Sequence, residues 1–124
     1  MGELQGKDMI SVKFEKNEST KTLRLKVKGH AGQAEAGKDI VCASASILAY
    51  TVAQIVTFME GQGKLTKKPV IKIKEGDAVI TCKVKTDEDY AEALHAYFVA
   101  RVGYSLLAHN YPQYVELNEF GEAS

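Results

Sequence analysis

The chain lacks most features that would commit it to an extracellular, membrane or nucleic-acid role. It has two cysteines in 124 residues, too few for the disulfide framework of a small secreted scaffold. No cationic stretch followed by an apolar one opens the sequence, so no signal peptide is read. The cytoplasm, where a thiol stays reduced, is the expected compartment. Lys and Arg number 16 and so do Asp and Glu, which leaves none of the basic excess of a nucleic-acid binder. No aromatic stacking motif offsets that balance, so no direct nucleic-acid partner is expected. The stretch from Ile40 to Met59 has no charge and is long enough for a bilayer. Ser44, Ser46, Thr51, Gln54 and Thr57 interrupt it, and strand-like segments flank it. It therefore reads as a core helix of a soluble domain, with no membrane partner.

What is present is a regular alternation of strands and helices. Residues 1–8 have no period and read as an extension, disordered or added to the natural chain. Ile10, Val12 and Phe14 alternate with polar residues, as do Leu23, Leu25 and Val27, which predicts a hairpin of two half-buried strands. Val41, Ala45, Leu48, Val52, Ile55 and Met59 form the apolar stripe of a helix that Asp39 caps and Gly61 and Gly63 stop. Ile40, Ile47 and Phe58 lie off that stripe, which predicts cover on more than one side. Two further strands follow, Val70 to Lys74 and Ala78 to Lys85, around a tight turn at Glu75-Gly76-Asp77. Thr86 to Asp89 places acid at the start of a second helix, with Ala91, Leu94, Phe98, Val102 and Leu106 as its apolar positions. It should end near His109-Asn110, ahead of Tyr111-Pro112.

The order β-β-α-β-β-α predicts an α+β single domain over 9–117: an antiparallel four-stranded sheet with two helices packed on one face. Residues 118–124 read as a flexible tail.

One stretch carries chemistry. His30 leaves the second strand after Gly29, a loop with Gly32 and Gly37 follows, and Cys42 falls in the first helical turn if Asp39 is the N-cap. A helix N-terminus and a nearby imidazole both lower a thiol's pKa. Free N–H groups near Cys42 and Ala43 would be placed to hold an oxyanion. These parts suffice for acyl transfer by a Cys-His dyad. The plainer readings stand beside it. A lone cysteine in an apolar helix is more often packing than nucleophile, and Asp39 either caps the helix or orients His30. Cys82 is in phase with Ile80 and Val84 and reads as core, while His95 and His109 have no partner motif. Ser44 and Ser46 are close enough to support the thiol. The spacing of His30, Asp39 and Cys42 fits no zinc pattern, so no metal or other cofactor is expected. A non-catalytic module that binds a ribosomal protein or RNA is the principal alternative. A redox protein ranks behind it, for want of an accessible resolving thiol.

Gly29-His30-Ala31, followed by Gly37-Lys38-Asp39-Ile40-Val41-Cys42-Ala43 and Ser46, resembles the signature of the Prp family, the ribosomal-processing cysteine proteases of Firmicutes. The resemblance extends from Met9 to the Tyr111-Pro112-Gln113-Tyr114-Val115 ending. It implies Cys42 as nucleophile and His30 as general base and acid, with Gly29, Asp39, Ala43 and Ser46 in support and Gly32 and Gly37 in the substrate loop. It also implies a homodimer that removes the N-terminal extension of a large-subunit ribosomal protein after a Phe-Phe motif. Members also process capsid and scaffold proteins of some phages. The loop here, Gly32-Gln33-Ala34-Glu35-Ala36, lacks the aromatic residue that the resemblance leads one to expect.

Overall fold

The alternation of side chains along the strands builds one sheet with two unlike faces. A computed structural model describes residues 9–30 and 36–124, with backbone only for 36–39; the readings of 1–8 and of Gly32 lie outside the described residues. The elements are β1 (Ile10–Asn17), β2 (Thr22–Lys28), α1 (Ala36–Gly61), β3 (Val70–Lys74), β4 (Asp77–Lys83), α2 (Asp87–Asn110), β5 (Val115–Leu117) and β6 (Gly121–Glu122).

β1 and β2 pair antiparallel with Phe14 opposite Leu25, and β2 pairs with β4 with Leu25 opposite Ile80. Residues directly opposite share a face, so Ile10, Val12, Phe14, Leu23, Leu25, Val27, Ala78, Ile80 and Cys82 all point the same way, and all are buried. Both helices pack on that face. α1 buries Val41, Ala45, Val52 and Met59 against it. This is one side of a segment that, by length and composition, could cross a membrane. From α2, Tyr97 donates a hydrogen bond to the Ile80 carbonyl and Tyr104 donates one to the Ala45 carbonyl. Phe14 meets both tyrosine rings edge-on. α2 opens as the sequence predicts: Thr86 accepts from the Asp89 N–H, and Asp87, Glu88 and Asp89 occupy the first turn.

The open face is charged. At its centre Glu15 is buried and accepts from Arg24 at 2.9 Å, with Lys26 at 3.6 Å and Lys13 at 3.8 Å. Burial alone would raise its pKa. The hydrogen bond from Arg24 and the charges of Lys26, Arg24 and Lys13 outweigh burial, so the carboxyl is held below its ordinary value.

Four features differ from the sequence reading. First, the sheet is six-stranded and mixed rather than four-stranded and antiparallel: its order is β3-β4-β2-β1-β5, and both β5 and β6 run parallel to β1. Second, the tail is accordingly not loose. The Asn17 amide donates to the Ala123 carbonyl, and Ala123 itself is buried.

Third, α2 buries Tyr90, Ala93, Tyr97, Ala100, Tyr104 and Leu107. The stripe read from hydrophobicity lies largely on the other side, with Phe98 53%, Val102 45% and Leu106 60% exposed. Ile40, Ile47 and Phe58 on α1 are exposed as well, so no second layer covers them among the described residues. Fourth, α1 begins at Ala36, ahead of Asp39, which is therefore inside the helix rather than its N-cap.

Candidate functional site

The site forms where the end of β2, the N-terminal part of α1 and the β3–β4 turn meet. Gly29 follows β2 with φ +101°, and a Cβ there would collide with the Met9 carbonyl oxygen, so only glycine lets the chain turn so close to β1. The turn sets the exposed His30 at the mouth of a pocket of about 320 Å³. Cys42, half-buried, faces the same pocket. Ser46, Ala49 and Tyr50 follow Cys42 at one and two helical turns and extend its wall, while Ile10, Val27 and Ala78 form the floor. The opposite rim is the turn Lys74-Glu75-Gly76-Asp77.

The predicted residues separate into three groups. His30, Cys42, Gly29 and Ser46 line one pocket, although twelve positions separate the histidine from the cysteine. Ala43 is exposed and outside the lining. Gly37 lies in the first turn of α1 instead of in a loop, and Asp39 lies there too instead of at the N-cap. The earlier start of α1 has a chemical consequence. Cys42 is beyond the first turn, so its N–H and that of Ala43 belong to the helix ladder and are not free for an oxyanion.

The β3–β4 turn was absent from the sequence reading of the site. Nothing in its residues marks it as functional, since a Glu-Gly-Asp turn is ordinary hairpin chemistry. Tyr50 could have been found, because it lies eight residues past Cys42 and so on the same helical face.

Among the described residues no side chain hydrogen-bonds His30 or Cys42, and no three His, Cys, Asp or Glu side chains cluster as metal ligands. Asp77, beside the pocket, is engaged elsewhere. Its carboxylate meets Lys72 at 2.8 Å and Lys28 at 3.6 Å, and the Lys72 hydrogen bond, ahead of all else, holds its pKa below the usual range. Cys82 is a different kind of thiol, 1% exposed and pushed up to about 11 by burial, which leaves it protonated and inert. The pocket thus offers one accessible thiol and one accessible imidazole.

The family model of the cysteine protease Prp matches residues 9–116. The chain belongs to the Prp cysteine protease family. Solved structures share the fold. SMU.848 from Streptococcus mutans aligns at TM-score 0.64 and 25% identity, over 99% of this chain and 100% of that one. The essential ribosomal processing protease Prp from S. aureus, in complex with a substrate peptide, aligns at TM-score 0.62 and 22% identity, over 90% of this chain and 99% of that one. The same S. aureus protein with a covalently linked product peptide aligns at TM-score 0.61 and 23% identity. No curated protein matches.

Proposed function

We propose that this Prp-family protein is a cytoplasmic endopeptidase that uses Cys42 and His30 as a dyad to remove the N-terminal extension of a large-subunit ribosomal protein after a Phe-Phe motif. The observation that carries the reading is the convergence of His30 and Cys42 on one pocket in a chain of this family.

In the reaction His30 takes the Cys42 proton, and the thiolate adds to the scissile carbonyl. The tetrahedral intermediate collapses as the imidazolium gives its proton to the leaving amine, which leaves a thioester on Cys42. His30 then takes a proton from water, whose oxygen attacks the thioester, and the thiol is restored. The apolar floor of the pocket, Ile10, Val27 and Ala78, suits an aromatic side chain of the substrate. Phage capsid and scaffold proteins with such a junction would be cleaved by the same chemistry.

The active form proposed is a homodimer. Ile47 and Phe58 on α1 and Phe98 and Leu106 on α2 are each more than half exposed, more large apolar surface than scattered exposure explains, and a second copy of the chain would cover it.

The test is mass analysis of a peptide spanning the ribosomal-protein extension and its Phe-Phe junction, incubated with the parent, Cys42→Ala and His30→Ala. A single cut after the aromatic pair, by the parent only, is expected. Cleavage by Cys42→Ala would remove the thiol from the mechanism. Peptide binding without cleavage by any of the three would favour a non-catalytic module.

A further inference from the structure

We infer that Gly76, in the turn between β3 and β4, is a positioning residue whose bare Cα forms the seat of the His30 imidazole. The inference rests on the thiol-protease reading of the pocket and adds a third element to it. A Cβ on Gly76 would collide with His30 Nε2, and it would stand 2.6 Å from Cε1 and 3.2 Å from Cδ2. Those three atoms are the part of the ring nearest this glycine, so the imidazole packs against its bare Cα, and any side chain there would displace it. A second contact pins the backbone beneath the ring to the same residue: the Gly29 N–H donates to the Gly76 carbonyl at 3.0 Å. Gly76, His30 and Cys42 all line the one pocket.

In a triad a carboxylate orients the histidine through a hydrogen bond. Here no described side chain hydrogen-bonds His30, and the bare glycine adds a steric constraint on where the ring can lie. The β3–β4 hairpin is therefore part of the active site, although it supplies no reacting atom. A ring pushed off its seat by about 1 Å would cost on the order of 100-fold in rate.

The test is Gly76→Ala, with a matched control built into the fold. Gly63 has φ +76° and Gly76 φ +78°, so alanine meets the same backbone strain at both sites. A Cβ at Gly63 meets nothing within 4 Å. Both variants should lose similar thermal stability. Gly76→Ala should lose about 100-fold in kcat/KM, mostly in kcat, and Gly63→Ala no more than about twofold.

If Gly76→Ala does not fold, Gly76→Asn brings the same Cβ on a residue that tolerates positive φ. Cleavage by Gly76→Ala equal to that by Gly63→Ala would overturn the inference. The His30 ring signals in NMR give a readout apart from cleavage: they should shift in Gly76→Ala and stay in place in Gly63→Ala. If the parent cleaves no peptide, the functional reading fails on its own, and unmoved ring signals would separately sink the role of Gly76.

Discussion

Replacing Glu15 by Gln keeps the shape of the side chain and removes its charge, which isolates the electrostatic part of the open face. The Glu15 side chain is 9% exposed and that of Arg24 20%, so their 2.9 Å hydrogen bond is poorly screened. A hydrogen bond to a charged group contributes about 1.5–3 kcal/mol and a neutral one about 1, so the change of acceptor costs about 1 kcal/mol. Lys13 and Lys26 are 46% and 40% exposed, and each loses a screened partner, about 0.5 kcal/mol apiece. The sum is about 2 kcal/mol at neutral pH.

The pH dependence makes the prediction specific. The folded pKa of Glu15 is depressed, so its contribution is fully present above the unfolded value, about 4.3, and is lost as pH falls through the folded value. Urea titrations of parent and Glu15→Gln should differ by about 2 kcal/mol near pH 7 and converge as pH falls below the unfolded value and through the lower folded one, where the parent carboxyl is protonated. A difference that stays constant across that range would refute the reasoning, because a protonated glutamate and a glutamine would then not be equivalent, and the effect would be one of shape.

Three further outcomes are expected. A thiol reagent at neutral pH should modify Cys42 quickly and reach Cys82 only after denaturant is added; two fast thiols would contradict the burial and raised pKa of Cys82. Tyr104→Phe removes the bond to the Ala45 carbonyl, which keeps its helical N–H partner, so the cost should be about 1 kcal/mol, read as a drop of about 3–6 °C in Tm with cleavage retained. A loss below about 0.3 kcal/mol would mean that the hydroxyl contributes nothing net. Leu106→Asp places a charge on the exposed face of α2 and should turn a dimer into a folded monomer in sedimentation, whereas a parent that sediments as a monomer would remove the proposed assembly.

Strand positions were legible because alternation with period two is a direct image of a two-faced sheet, and Phe14, Leu25 and Ile80 fall on the face read for them. Tyr114, Val115 and Leu117 read as a short extended segment, but β5's parallel pairing with β1 was not legible, and the two residues of β6 are too few to show a period. The error on α2 has a clear cause. Hydrophobicity ranks Phe98, Val102 and Leu106 above tyrosine and alanine. Yet Tyr97 and Tyr104 fill the core because carbonyls of Ile80 and Ala45 take their hydroxyls. The helix carries two apolar faces, and only the three-dimensional arrangement shows which one meets the sheet. In the site, His30 and Cys42 stand out in the sequence because their chemistry marks them, and both line one pocket. Gly76 was invisible, because its contribution is the absence of a side chain beside a residue far away in sequence.

The way β1 is completed bears on when the protein can become active. β1 is synthesised early, yet the backbone that closes its outer edge comes from Val115–Leu117 and Gly121–Glu122, and the Asn17–Ala123 bond spans 106 positions. Pairing at that separation must wait until nearly the whole described chain has been translated, and it makes for slow closure. Until then Ile10 and Val12 sit on a bare strand edge, open to a neighbouring nascent chain. The floor of the pocket includes Ile10, so a finished cleft and a finished sheet arrive together. A partly made chain would hold both the cysteine and the histidine without the cleft that brings them together.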